Sequence, residues 1–180
     1  MKRTIRNIFD KIAYPLIAGS LLCSSYAFAE FVYVPNNGDT PTGTVSVIDS
    51  ASYQVVATVI VGNNPSAVTL SPTGAYAYVP NYGDSPTGTV SIINTTNYQV
   101  VALVTVGDGP NAVTLSPTGP YAYVPNNADG TVSIINTTNY QVVATVTVGD
   151  GPQAVGITQY GTIPQLEQHQ FQRGQFMRSR

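Results

Sequence analysis

Short apolar stretches rich in valine, isoleucine and tyrosine alternate with turns along the chain, and their pattern returns at a fixed spacing. The segment Tyr-Val-Pro-Asn at 33–36 returns at 78–81 and at 123–126, so the period is 45 residues. Its tyrosines and asparagines form a repeat signature: Tyr33, Asn36, Tyr78, Asn81, Tyr123 and Asn126. A period of about 40 to 50 residues with several short strands per unit is typical of propeller blades. The pattern therefore predicts a repeat architecture.

Each unit contains four strand-like segments, and the unit with the clearest pattern gives their order. The segments, separated by turn residues, cover 112–115, 121–124, 131–135 and 141–148. Pro125 lacks a backbone donor, so we expect the second strand to end or bulge there. In the fourth strand, alternation assigns one face to Val142, Ala144, Val146 and Val148, as in a half-buried outer strand. By analogy with other propellers, the repeats should begin at a second strand, at 31–35, and finish at a first strand, at 154–157.

The fold class follows from this pattern, and so does a family resemblance. Four strands per unit, many β-branched residues and no helical period favour an all-β fold. The order Tyr-Val-x-Asn, Thr-Val-Ser-Ile-Ile, a valine-rich strand, Gly-x-x-Pro and Ala-Val-x-Leu-Ser-Pro-x-Gly resembles the YVTN family of β-propeller repeats over 31 to about 158. Proline replaces the family's threonine at Pro35, Pro80 and Pro125. The resemblance implies four-stranded blades around a central axis in an exported or surface-exposed protein, and it implies no single activity.

The repeats supply about three blades plus one extra strand, with units at about 31–74, 75–119 and 120–158. A closed propeller needs about four blades or more, and the family resemblance implies six to eight. We therefore expect a partial propeller or half of a closed ring. In the second case two chains form a homodimeric six-bladed ring, in which 154–157 of each chain completes the first blade of the other.

The N-terminal residues have the pattern of a secretory signal peptide. Basic residues at positions 2–11 precede an apolar run at 12–22, and 27–29 offers a small-x-small cleavage site. We expect cleavage after Ala29, a mature chain that begins at Glu30, and a secreted, periplasmic or cell-surface location. The apolar run is shorter than the roughly 20 residues that span a bilayer, so we expect no membrane span in the mature chain.

The period ends before residues 159–180. A fourth Tyr-Val-Pro-Asn would be due there, but the segment is rich in glutamine and arginine instead. We interpret 159–180 as a divergent, disordered tail, and one explanation is a frameshift that truncated a longer propeller gene. Thr89–Ala102 is identical to Thr131–Ala144. Such near-identical copies indicate recent duplication, which suits an array that gains and loses units.

The composition of 31–158 excludes most catalytic sites. This region has no histidine, cysteine, lysine, arginine, glutamate or tryptophan. No Ser-His-Asp triad, Cys-His pair or histidine-based metal site can therefore be assembled within it. Nucleic-acid binding depends on lysine and arginine contacts to phosphate, so we expect no nucleic-acid partner. We also expect no catalytic residues and no cofactor.

The loop aspartates Asp39, Asp84 and Asp129 recur with the repeat and are weak Ca²⁺ candidates, because Ca²⁺ prefers oxygen ligands. Aspartate and asparagine also build turns by bonding their own backbone, and we favour turn chemistry over a metal. For the signature asparagines we favour a hydrogen bond within the blade over contact with a ligand. For the tyrosines we favour packing between sheets over a recognition surface.

We therefore predict an exported, non-enzymatic β-propeller protein that acts as a binding or surface-interaction module for an unknown protein or small-molecule ligand. Two alternatives stay open. A lactonase-like propeller hydrolase would have to rely on aspartates and a bound metal, so a chelator would abolish its activity. A truncated, non-functional fragment of a longer propeller protein would have no ligand at all.

Overall fold

The computed structural model describes residues 30–38, 42–84 and 86–158. These residues form strands and no helix. In chain order the strands are β1 Phe31–Asn36, β2 Thr44–Asp49, β3 Gln54–Ile60, β4 Thr69–Leu70, β5 Tyr76–Asn81, β6 Thr89–Asn94, β7 Gln99–Thr105, β8 Thr114–Leu115, β9 Tyr121–Asn126, β10 Thr131–Asn136 and β11 Gln141–Thr147. The all-β prediction is confirmed. No helix within the described residues is long and apolar enough to cross a membrane.

The strands form three antiparallel sheets, one for each repeat. The first sheet has the order β1-β2-β3, the second β4-β5-β6-β7 and the third β8-β9-β10-β11. Neighbouring strands are consecutive in the chain, so short hairpin turns connect them. Among the described residues the first sheet has three strands because its repeat begins at a second strand, and β1 therefore has one hydrogen-bonded neighbour there, β2.

The signature prolines lie inside their strands. Pro125 pairs with Val132 in the β9–β10 ladder, and β9 continues to Asn126. The prediction that the strand ends or bulges at Pro125 is therefore wrong. The carbonyl of Pro125 accepts the Asn111 amide at 3.2 Å, on the side of the short inner strand β8. Because the N and C=O of one strand residue point to the same side, the missing donor faces β8 and costs the β10 ladder nothing.

The outer strands contain a β-bulge that the alternation pattern does not show. Ile134 pairs with Ala144, whereas the next residue, Ile135, pairs with Val142, so Val143 is the extra residue. Consecutive residues of β10 point to opposite faces, and so do their partners. The assignment of Val142 to the same face as Ala144 is therefore wrong. The same register shift occurs in the first and second sheets.

The inner strands are shorter than predicted. β4 and β8 contain two residues each, and each pairs with the second strand of its own sheet. Residues 154–157 form no strand, where a first strand was predicted. An inner strand is held by the following second strand, as β8 is held by β9, and the described residues offer no such strand after 157.

The hydrophobic cores lie between the sheets, in two seams. We call the side of a sheet that faces the preceding sheet its leading face, and the opposite side its trailing face. In the first seam the core comprises Val45, Val47, Val59, Val61, Ala77, Val79 and Ile93. In the second seam it includes Val90, Ile92, Val104, Val106, Ala122, Val124 and Ile135. Valine and isoleucine from a trailing face thus meet alanine, valine and isoleucine from the next leading face.

Candidate functional site

The signature asparagines tie the second strand of each sheet to the third. The side-chain amide of Asn81 donates hydrogen bonds to the hydroxyls of Thr89 at 2.9 Å and Ser91 at 3.0 Å. Asn126 donates to Thr131 and Ser133 in the same way, both at 2.9 Å. Asn81 and Asn126 are fully buried. The side-chain carbonyl oxygens of both are buried without a hydrogen-bond partner within the described part of the chain.

Asn36 has the equivalent position in the first sheet. Its side-chain amide donates to Thr44 at 3.1 Å and to Ser46 at 2.9 Å. Unlike the other two asparagines, Asn36 is only half-buried. The first sheet has no preceding sheet among the described residues, and its polar group therefore lies at an open end.

A glycine turn from the preceding sheet covers each buried asparagine group. The Gly62 amide donates to Ser91 Oγ at 3.3 Å, and the Asn63 amide donates to Asp84 Oδ1 at 2.9 Å. A Cβ on Gly62 would lie 2.6 Å from Cγ of Asn81, closer than real side chains approach. A side chain here would force the turn or the asparagine to shift, because the two touch directly.

The structure separates the candidate calcium ligands. Asp84 accepts hydrogen bonds from Asn63 and from Thr89 Oγ1, the latter at 2.5 Å, and Asp129 Oδ2 accepts the Asp108 amide at 2.6 Å in the other seam. The described residues hold no group of three or more His, Cys, Asp or Glu side chains that could bind a metal ion. Asp39 lies outside the described residues.

The signature tyrosines lie on the trailing faces. Tyr78 is 2% exposed within the core of the second seam. Burial, together with the neighbouring Tyr140 and Tyr76, raises the pKa of Tyr78 to about 12. Burial beside Tyr98 also raises the pKa of Tyr33. Tyr123, at the equivalent position of the third sheet, is partly exposed.

A second set of tyrosines joins the sheets, and the repeat signature defined above does not include it. Tyr98 meets Phe31 of the preceding sheet edge-on with ring centroids 6.5 Å apart, and Tyr140 meets Tyr76 at 6.4 Å. Tyr53, Tyr98 and Tyr140 all have positive φ, at 56°, 58° and 59°. The left-handed backbone at the end of the turn aims Tyr98 and Tyr140 at the preceding sheet, whereas Tyr53 has no preceding sheet among the described residues and is 83% exposed. In the sequence a tyrosine recurs after each of these turns, and this recurrence could have identified the second set.

The comparisons with known proteins bear on the fold. No family model matches the chain, and no curated protein matches it. Among solved structures, hydrazine synthase of Kuenenia stuttgartiensis is similar with a TM-score of 0.56 and 28% identity over 61% of this chain and 31% of that one. Apo AztD from Citrobacter koseri is similar with a TM-score of 0.51 and 14% identity over 62% of this chain and 32% of that one.

Both similar proteins are propeller-like, and three face-packed antiparallel sheets repeat in sequence order here. The chain folds as a partial β-propeller. It spans about a third of the length of the two similar structures. The three sheets are the blades of this propeller, and the two seams are the contacts between successive blades.

A groove lies at the seam between the first and second blades. Its volume is about 530 Å³, within the range of roughly 300–1,000 Å³ that is typical of small-molecule sites. Its apolar lining includes Ile60 and Leu103, which are 66% and 60% exposed. Its polar lining includes Asp84, Thr89 and Ser91. The groove therefore combines an accessible apolar lip with polar groups that belong to the seam.

Proposed function

We propose that the chain is an exported, non-enzymatic propeller protein of the YVTN type and that it acts as a binding module. The groove between the first and second blades is its ligand site. The observation that carries the proposal is the exposure of Ile60 and Leu103 on the lip of a groove large enough for a small molecule. Export is supported by the signal-peptide pattern of residues 1–29.

Binding is favoured over catalysis because the polar groups of the groove already serve the seam. Asp84 accepts hydrogen bonds from Asn63 and Thr89, and Ser91 accepts them from Asn81 and Gly62. A nucleophilic serine or threonine needs a base within hydrogen-bond reach. The Asp84 carboxylate does lie within reach of Thr89, but it also accepts the Asn63 amide across the seam, and Ser91 accepts the Gly62 amide across the same seam. Both polar groups are therefore already engaged in blade packing. The likeness to hydrazine synthase covers 31% of that chain and lends no reaction to this one.

The groove recognises an apolar small molecule or the apolar side chains of a partner protein. Ile60 and Leu103 project from the outer strands of adjacent blades, and a ligand between them removes both from water. Each side chain of this size contributes roughly 1.5–3 kcal/mol when it becomes fully buried. Partial burial of these two side chains does not reach micromolar affinity, because association itself has a free-energy cost. A ligand with micromolar affinity must therefore also fill the groove.

The test is a titration with the fluorescent apolar probe 8-anilinonaphthalene-1-sulfonate. We expect saturable binding to the folded protein and a loss of at least about tenfold in probe affinity after the double substitution Ile60→Ser and Leu103→Ser. The control is Val143→Ser, which changes a 53% exposed valine on the outer strand of the third blade. Equal probe binding by the double variant and the control would overturn the groove as the site.

A further inference from the structure

The two ends of the blade series expose surfaces that the seams bury. In the second blade Val104 and Val106 are each 6% exposed, whereas the equivalent Val146 and Val148 of the third blade are 47% and 42% exposed. The segments that lead into these two pairs of valines, 89–102 and 131–144, are identical in sequence. The trailing face of the third blade is therefore the same surface that already docks inside the chain.

The leading face of the first blade is the matching surface. Val32 and Val34 are 48% and 37% exposed, while Ala77 and Val79, at the same positions of the second blade, are fully buried. The two open faces thus have the chemistry of the two sides of one seam. Contact between them would remove valines on both sides from water.

The aromatic contacts point to the same match. Phe31 packs on Tyr98 and Tyr76 packs on Tyr140, each across a seam in the same direction. The next members of this series are Tyr121 on the third blade and Tyr53 on the first. Tyr53 is 83% exposed and Tyr121 is 38% exposed. Each lacks its ring partner within the described chain, and each would meet it across a third seam.

The polar groups repeat the pattern. Gly107 lies against Asn126, as Gly62 lies against Asn81, but no atom of the described residues lies within 4 Å of a Cβ placed on Gly149. The polar group that a third glycine turn would cover is that of Asn36 and Ser46 in the first blade. The glycine turn and the asparagine group therefore stand uncovered at opposite ends of the blade series.

The residues after Gly151 follow the path of an inner strand, but no later strand among the described residues pairs with them. Thr114 Oγ1 donates to the carbonyl of Val155 at 2.8 Å, as Thr69 Oγ1 donates to Val113 in the preceding seam. The inner segment of one blade is thus held by the blade before it. Among the described residues the first blade, β1-β2-β3, has no inner strand, and residues 154–157 of a second copy would supply it.

We propose that a second copy of this chain covers both ends, so that two chains close a six-bladed ring through two equal seams. The trailing face of the third blade of each copy docks on the leading face of the first blade of the other. Propellers typically have four to eight blades, and six is the one multiple of three in that range. This proposal does not rest on the groove or on its ligand.

The substitution Gly149→Ala should weaken the association of two chains without changing the fold of either chain. The added methyl group meets no atom within 4 Å among the described residues of one chain. Across the proposed seam it would collide with Asn36 of the second copy, as a Cβ on Gly107 would collide with Asn126. We expect wild-type residues 30–180 to sediment as a dimer. The variant should keep the circular dichroism of the wild type and lose dimer affinity by about tenfold or more.

Mixing two variants then tests which residues meet. Asn36→Ala removes the side chain with which the added methyl group collides, so a labelled Gly149→Ala chain should regain the sedimentation of a dimer when unlabelled Asn36→Ala chain is added. The unlabelled wild-type chain should restore it far less. A monomeric wild type, a Gly149→Ala variant that stays dimeric, or a mixture in which the labelled chain stays monomeric would each overturn the ring.

Discussion

Gly107 and Asn126 touch across the second seam, so that a Cβ on the glycine would lie 2.5 Å from the side-chain nitrogen of the asparagine. The same contact joins the first and second blades. Glycine at this turn is therefore a requirement of blade packing, because the backbone of one blade lies directly against a buried side chain of the next. The contact also explains why a glycine begins the turn that precedes the second blade and the turn that precedes the third.

Replacing this glycine should weaken the seam. Gly107→Ala forces the turn away from Asn126 and is expected to lower the free energy of unfolding by about 1–3 kcal/mol, the usual cost of overpacking. Urea unfolding followed by circular dichroism measures it. Gly156→Ala is the matched control, because no atom of the described part of the chain lies within 4 Å of a Cβ placed there and a threonine holds the equivalent position in the preceding repeat. Equal stability of the two variants would contradict the seam contact.

The asparagine group should contribute more than an exposed asparagine does. Asn81→Ala removes a side-chain donor from the half-buried hydroxyl of Thr89 and one of two donors from the buried hydroxyl of Ser91, and we expect a loss of about 1–3 kcal/mol in the free energy of unfolding. The control Asn97→Ala removes an exposed side chain that accepts the Gln99 amide in a turn, and its effect should stay within about 0.5 kcal/mol. The prediction fails if thermal unfolding ranks the two variants in the opposite order.

Burial of Tyr78 makes the fold sensitive to alkali. The folded protein holds the pKa of Tyr78 at about 12, above the ordinary value of 10.0. The unfolded chain ionises this tyrosine first, so the stabilisation is complete below pH 10 and is lost as the pH rises from 10 to about 12. Absorbance at 295 nm should show a late tyrosinate component. Tyr78→Phe should reduce it, whereas Tyr53→Phe, which changes an exposed ring, should leave it unchanged.

The signal-peptide pattern predicts where the exported chain begins. Expression with residues 1–29 in a bacterial host should deliver a product outside the cytoplasm whose first residue is Glu30. Ala29→Phe should block processing, because the cleavage site requires a small residue. Amino-terminal sequencing of the exported product checks both. A product that retains residues 1–29 would show that the segment is not a signal peptide.

The strand order and the number of sheets could be predicted from the sequence because the repeat copies one unit three times. The exposure of the two ends follows from the same count of blades. Faces within the outer strands could not be predicted, since one bulge residue, Val143, reverses the alternation without any mark in composition. Pro125 was misleading because the sequence does not show on which side of the strand its missing donor falls.

Only part of the seam contacts could be predicted from the sequence. The repeated Asn36, Asn81 and Asn126 could be picked out from their period, but their partners in the third strand depend on the register. The pairing of Tyr76 with Tyr140 depends on a left-handed residue at 140. Tyrosine rarely adopts that conformation, so no propensity argument predicts it. The groove depends on how two blades pack, which neither repeat shows alone.

Amide exchange at Tyr33 tests most directly whether the open ends of the blade series are covered. In β9 the carbonyls of Tyr121 and Pro125 face the inner strand, so the Tyr123 amide between them faces it too. Tyr33 is the equivalent residue of β1, which has no inner strand within the described chain. If a second copy supplies that strand, the Tyr33 amide should be protected to the same degree as the Tyr123 amide. Exchange of Tyr33 at the rate of an unstructured amide, with Tyr123 protected, would contradict the ring.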